Sequence, residues 1–132
     1  MNTQQKNYMA AKAYLQTCEA EEVESEAKYI RDHGITNPDG TTPTKLWHIE
    51  DEALFDEACE DYDGSEYDLS DRTYEAKQQL KRAEDELINF ALDIFRRMYP
   101  VQADTLAAHR NDWDTREKLL DIAFRLDTRT IK

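Results

Sequence analysis

Hydrophobic residues recur along the chain at intervals of three and four, the spacing of an amphipathic α-helix. From about Thr3 to His33 they form a stripe that drifts slowly around one long helix, and Gly34 supplies the signal for its end. The stripe consists of Tyr8, Ala11, Leu15, Val23, Ala27 and Ile30. We therefore expect these residues to face the core.

A second long helix is predicted from Ser70 or Asp71 to Tyr99, where Pro100 stops it. Its apolar seam consists of Leu80, Ala83, Leu87, Ala91, Ile94 and Met98. The pattern as a whole predicts an all-α protein of four or five helices. In this fold the helices at about 3–33 and 71–99 form a long antiparallel pair, and shorter helices pack on it.

Between the long helices, the turn signal "NPDGTTP" predicts an irregular, exposed connection from Ile35 to Pro43. Helical spacing resumes at Thr44 and continues to Tyr62. On this helix one face is apolar, with Phe55, Ala58, Cys59 and Tyr62, and the opposite face carries Glu50, Ala53, Glu57, Glu60 and Asp61.

Beyond Pro100 the pattern predicts a short helix through "ADTLAAHR" and a last helix that begins near Asp114, where Glu117 completes a capping box. Its core positions are Leu119, Ile122, Ala123 and Leu126. The final residues, "DTRTIK", have no helical signal and are expected to form a short arm.

The composition favours one helical domain over residues 1–132. The chain is 39% hydrophobic, and it has only three glycines and three prolines, too few for a many-stranded sheet. No apolar run is long enough for a membrane span, so we expect a cytoplasmic protein without a membrane partner. Cys18 and Cys59 have no CxxC spacing and are expected to be buried free thiols.

The net charge of −12 is concentrated in the first half of the chain, since residues 1–66 hold 16 acids and 5 bases. Such a field repels nucleic acid and attracts cationic partners. From Leu46 to Asp71 there is no Lys or Arg. We expect seven acids of this segment to bind a partner, and we call them the acidic ridge: Glu50, Glu57, Glu60, Asp61, Asp63, Glu66 and Asp68.

The same acids do not fit a known metal loop. With Gly64 at the sixth position of a calcium loop, the first and twelfth positions are Cys59 and Ser70, which cannot supply the carboxylates needed there. His48 and Glu50 give an isolated H-x-E, and no histidine has a glutamate three residues before it. We therefore predict no metal site, no cofactor and no catalytic residue.

One enzyme pattern remains as an alternative. All-α nucleotide pyrophosphatases hold magnesium between an ExxE and an ExxD on successive helices, and Glu19 with Glu22 and Glu60 with Asp63 are similar to that pattern. The second pair falls at a predicted helix end, on the solvent-facing ridge. Acidic chains also produce such matches readily by chance.

Two segments, "NPDGTTPTKLWHIEDEALFDEACE" from Asn37 to Glu60 and "TREKLLDIAFRLDTRTIK" from Thr115 to Lys132, resemble parts of small acidic helical proteins of phages and integrated elements of gut bacteria. The resemblance carries no assigned activity and transfers no catalytic residue. It implies an accessory protein of a mobile element.

Three functional hypotheses follow. The first is a non-enzymatic interaction module whose acidic ridge binds a basic protein surface, in the extreme as a nucleic-acid mimic that masks a host protein. The second is a structural or assembly protein that self-associates through its long helices. The third is an enzyme similar to the nucleotide pyrophosphatases.

Overall fold

The computed structural model describes residues 2–125 and contains five α-helices. They are α1 (Thr3–Asp32), α2 (Glu52–Tyr62), α3 (Ser70–Met98), α4 (Pro100–Ala108) and α5 (Trp113–Arg125), with a 3-10 turn at Leu46–His48. No strand occurs in residues 2–125, so the all-α prediction is confirmed. None of the described helices is long and apolar enough to cross a membrane.

Helices α1 and α3 form the predicted antiparallel pair. Near the start of α1, Tyr8 packs against the cluster that contains Leu92, late in α3. Further along α1, Glu21 forms an ion pair with Arg72 in the first turn of α3.

The contacts divide the chain into two compact units, residues 14–76 and the residues on either side of them. In the unit that comprises residues up to 13 and from 77 onward, α3 and α5 supply the core. The buried Gln5 side chain donates a 2.7 Å hydrogen bond to the carbonyl of Ala123, which fixes the start of α1 against α5. Buried residues of this core are Leu87, Ile88, Ala91, Leu92, Leu119, Leu120 and Ala123.

In the unit of residues 14–76, the end of α1, α2 and the connection between them share a second core. The buried Ile35, Leu46 and Ile49 belong to the connection, so the prediction that Ile35 begins an exposed segment is wrong. The connection is folded onto the core because its apolar residues and backbone groups find partners there. For example, the Leu46 amide donates to Oε1 of Glu26 over 2.6 Å.

For the helix predicted from Thr44 to Tyr62, the predicted start is also wrong. α2 begins at Glu52 instead of Thr44, because Asp51 has extended backbone angles and its side chain accepts a 3.1 Å hydrogen bond from the amide of Leu54. This is an N-cap, which ends the non-helical connection and starts the helix. Glu50 consequently lies before α2.

Two residues of the predicted seams are exposed. Val23 is 51% exposed because the buried face of α1 at that level passes through Cys18 and Tyr29; Val23, five residues after Cys18, points about 140° away from it at 100° per residue. Met98 is 55% exposed, in the last turn of α3 beyond the core cluster. Leu126 and the predicted arm lie outside the described residues.

Candidate functional site

An open groove of about 730 Å³ lies in the unit of residues 14–76, between the end of α1 and α2. This volume is within the range of ordinary ligand pockets, about 300–1,000 Å³. Its lining combines apolar and acidic side chains: Tyr29, His33, Ile35, Leu54, Glu57, Ala58, Glu60 and Asp61.

The end of α1 positions one side of the groove. Gly34 has a φ of 63°, a left-handed conformation that glycine adopts without strain. The amide of Ile35 donates to the carbonyl of Ile30 and that of Gly34 to the carbonyl of Arg31, which together form a Schellman cap. The cap turns the chain so that Ile35 packs back onto Ile30 in the core. His33 is thereby held in the final turn.

Helix α2 supplies the other side. Ala58 is buried, and Phe55, Cys59 and Tyr62 pack against the same core, as the apolar pattern predicted. Because Ala58 faces the core, Glu57 and Asp61 lie at the edge of that face, where both line the groove. Helix α2 therefore contributes apolar side chains to the floor of the groove and acidic side chains to its rim.

Tyr29, His33 and Asp61 form a connected cluster at the groove. The Tyr29 hydroxyl donates a 2.8 Å hydrogen bond to Oδ2 of Asp61. Nδ1 of His33 lies 2.9 Å from the carbonyl of Tyr29, and since a carbonyl only accepts, Nδ1 carries the proton. Nε2 of His33 then faces Oδ2 of Asp61 at 3.6 Å and forms an ion pair with it when the ring is protonated.

Aromatic packing fixes the position of Tyr29. The rings of Tyr62 and Tyr67 meet the Tyr29 ring edge-on, each with centroids 5.4 Å away, and the His33 ring lies 4.1 Å from it. The Tyr67 hydroxyl donates to Oδ2 of Asp32 over 2.8 Å, which holds the loop before α3 against α1. Burial and the bond to Asp61 raise the pKa of Tyr29 to about 12. Its hydroxyl is therefore a permanent donor to Asp61 at neutral pH.

The structure divides the acidic ridge into two groups. Glu57, Glu60 and Asp61 lie together on α2 at the groove. The other four acids belong to the connections on either side of α2: Glu50, Asp63, Glu66 and Asp68. The ridge thus has a helical centre and non-helical residues on either side of it, and is not one continuous helical line.

Two of these outer residues form structural hydrogen bonds, Glu50 through its backbone amide and Asp68 through its carboxylate. The Glu50 amide donates to Oδ1 of Asn37 over 3.1 Å, which anchors the connection in front of α2. The Asp68 carboxylate accepts from the amides of Gly64 and Ser70, at 2.9 and 3.0 Å. These hydrogen bonds, that of Gly64 first, lower the pKa of Asp68 and close the turn before α3. Asp68 is therefore committed to the loop.

The remaining chemistry of the described residues is sparse. No group of three or more His, Cys, Asp or Glu side chains within residues 2–125 is arranged to hold a metal ion, and the two acidic pairs of the pyrophosphatase pattern are not gathered into one. Cys18 is buried, as predicted, whereas Cys59 is only partly buried; both are free thiols. Burial raises the pKa of Cys59, so its thiol is protonated at neutral pH.

Sequence reasoning missed Tyr29 and His33. The signal that could have found them is their spacing of four residues at the end of α1, directly before Gly34, which places both rings on one face. Nothing in the spacing indicates that this face meets Asp61, which lies 32 residues after Tyr29.

Comparison of the chain with known protein families, curated proteins and solved structures finds no match.

Proposed function

We propose that the protein is a non-enzymatic interaction module that binds a basic surface of another protein through the acidic ridge. In this proposal it is a cytoplasmic accessory protein of a phage or mobile element. Its partner is a host protein whose basic, nucleic-acid-binding surface becomes masked. The groove between α1 and α2 lies at the centre of the contact.

The observation that carries the proposal is that the ridge acids have no Lys or Arg partner among the described residues, in a segment that itself contains no Lys or Arg. Within residues 2–125, none of the seven ridge acids forms an ion pair with a Lys or Arg. Some acids outside the ridge do have such partners; for example, Arg116 bridges Glu84 and Asp85 at 3.1 and 2.9 Å. The ridge charge thus has no Lys or Arg counter-charge among the described residues, and it attracts a basic partner over about a Debye length, roughly 8 Å at physiological salt.

The central acids are also suitably placed for contact. Glu57, Glu60 and Asp61 occupy positions i, i+3 and i+4 of α2, where neighbouring side chains lie about 5–6 Å apart. All three are exposed. A row of carboxylates at this spacing can meet several cationic side chains of one surface, as the phosphates of a nucleic acid strand do.

The test uses a triple variant, Glu50→Gln, Glu57→Gln and Asp61→Asn, and a control triple variant with the same change in net charge, Glu75→Gln, Glu86→Gln and Glu117→Gln. Partners are captured from a bacterial lysate at low salt and eluted at high salt. The association rate of the recovered protein is then measured against ionic strength with wild type and both variants.

The ridge variant is expected to associate more slowly than wild type and to show a flatter salt dependence, because the attracting field is weaker. The control variant should change the rate much less, since its acids lie outside the ridge. Equal rates and salt slopes for all three proteins would refute the ridge as the binding surface. Circular dichroism of the variants checks that the helices persist.

A second candidate function is self-association through the long helices. Large apolar side chains are exposed on both of them, with Met9, Tyr14 and Val23 on α1 and Tyr74 and Met98 on α3. Exposed apolar area of this kind favours contact between copies when it is contiguous. Light scattering over a range of concentrations tests it: a constant monomer mass argues against a homo-oligomer.

The pyrophosphatase hypothesis is the third candidate, and no contact in the described residues favours it. Incubation with nucleoside triphosphates and magnesium tests it directly. If the protein releases pyrophosphate and the Glu22→Gln variant does not, the enzyme hypothesis becomes the first candidate.

A further inference from the structure

We infer that the groove between α1 and α2 receives an arginine side chain of the basic partner. The inference rests on the proposed function and adds to it the residue type that the protein recognises. Three properties of the groove support it: an apolar floor, an acidic rim with a fixed carboxylate, and a lining that includes no Lys or Arg among residues 2–125.

The floor suits the aliphatic part of a long cationic side chain. Ile35 and Ala58 are buried and Leu54 is half-buried, and all three line the groove. An arginine buries its three methylene groups along such a surface while its charged head stays near water. An acidic side chain or a phosphate would instead be repelled by the rim.

The rim suits the head of the same side chain. Glu57, Glu60 and Asp61 border the groove, and the guanidinium group has five donors in a planar fork that fits carboxylates in pairs. Lysine offers a compact, strongly hydrated charge that satisfies one carboxylate at a time. Several carboxylates beside one groove therefore favour arginine over lysine.

One carboxylate is already held in place. Oδ2 of Asp61 accepts a hydrogen bond from the hydroxyl of Tyr29, a residue that is packed against other aromatic rings and is only 2% exposed. The rest of the Asp61 side chain is largely exposed at the groove. A partner thus meets a carboxylate whose orientation is set before binding, which reduces the ordering cost of the contact. The exposed ring of His33 beside it offers a planar surface on which a guanidinium can stack.

The experiment uses the full chain and three short blocked peptides of glycine and serine, identical except for one central residue: arginine, lysine or citrulline. Citrulline has the shape of arginine without its charge. Binding is followed through the backbone amide signals in two-dimensional NMR spectra. We expect the arginine peptide to shift the signals of Ile35, Leu54, Ala58 and Asp61 in a saturable way. The lysine peptide should bind more weakly, and citrulline should cause no saturable shift.

The matched variants are Asp61→Asn and Asp56→Asn. Both remove one negative charge from α2, but Asp56 does not line the groove. The side-chain oxygen of asparagine at position 61 can still accept a hydrogen bond from the Tyr29 hydroxyl, so we expect the variant to fold. Loss of one charged partner is expected to weaken binding of the arginine peptide about tenfold in Asp61→Asn. In Asp56→Asn the affinity should stay close to that of wild type. Glu57→Gln is a further variant whose side chain has no internal hydrogen bond among the described residues.

The outcomes separate this inference from the proposed function. The inference is overturned if the arginine peptide causes no saturable shift at the groove, if lysine binds as well as arginine, or if Asp56→Asn weakens binding as much as Asp61→Asn. The ridge could still bind a basic protein in each case, as the rate measurements with the triple variants show independently. Conversely, arginine binding in the groove without any ridge effect on partner association would support the inference and refute the proposed function.

Discussion

The hydroxyl of Tyr29 donates a 2.8 Å hydrogen bond to Oδ2 of Asp61, joining the end of α1 to α2 across 32 residues of sequence. This bond lies where the second core borders the acidic ridge. It therefore contributes to stability and also orients a carboxylate of the candidate site.

Removing this hydroxyl should lower the free energy of unfolding. In Tyr29→Phe the ring still packs against Tyr62 and Tyr67, but the hydrogen bond to Asp61 is lost. Since the Asp61 carboxylate is partly hydrated, we expect a loss of about 1 kcal/mol. Urea denaturation measures it, with Tyr74→Phe as the control because Tyr74 is 60% exposed. Equal stability of the two variants would contradict the role of the bond.

Alkaline pH should destabilise the protein through Tyr29, which is buried, and Tyr62, which is partly buried. Burial is the first cause that raises the pKa values of Tyr29 and Tyr62 to about 12, against about 10 in the unfolded chain. Above pH 10 the unfolded state loses these protons first, so the stability that they supply is present below pH 10 and is lost as the pH rises towards 12.

The ultraviolet absorbance of tyrosinate tests this effect. In the folded protein, part of the absorbance change of the seven tyrosines should be delayed towards pH 12, and in urea all seven should titrate near pH 10. Tyr29→Phe should remove one delayed tyrosine from the folded curve. A folded curve that superimposes on the urea curve would be inconsistent with the buried positions.

Truncation of Leu87 should be strongly destabilising. Its side chain is fully buried in the core formed by α3 and α5. Leu87→Ala removes apolar contacts and leaves a cavity, which costs about 2–5 kcal/mol. Val101→Ala is the control, because Val101 is 74% exposed. A loss below about 0.5 kcal/mol for Leu87→Ala, typical of surface positions, would place the core elsewhere.

Calcium at millimolar concentration should not raise the melting temperature. The Asp68 carboxylate is used by the amides of Gly64 and Ser70, and Cys59 and Ser70 stand where a calcium loop needs its first and last ligands. Thermal unfolding with calcium, with magnesium and with a chelator checks this. A saturable increase with calcium alone would show that these acids bind the ion.

The sequence by itself determined the features that depend on neighbouring residues. Gly34 ends α1 because one residue has to adopt a left-handed conformation, and the bonds of that cap lie within six residues. Pro100 separates α3 from α4 for an equally local reason, since it cannot donate a backbone hydrogen bond to α3 and fits the first turn of α4. The repeated apolar spacing likewise identified Leu87, Ala91 and Leu119 as core residues.

The tertiary structure decided where these elements meet. The Asn37 side chain accepts a hydrogen bond from the amide of Glu50, 13 residues later in the chain, and Asp51 caps α2. Glu50 therefore lies outside the helix, although its spacing in the sequence is helical. Val23 fits the apolar spacing of α1, but its side chain is exposed because it lies away from the buried face of that helix. Periodicity identifies a face of a helix, and only packing determines which part of that face is covered.

The candidate site shows the same division. The sequence located the acids of α2 and the absence of Lys and Arg near them in the chain, because local composition does not depend on the fold. It did not place Tyr29 and His33 beside Asp61, since that contact depends on the folding of the connection between α1 and α2, whose Ile35, Leu46 and Ile49 are buried. A contact between distant residues is selected by the packing of the whole unit, and no short-range pattern in the sequence encodes it.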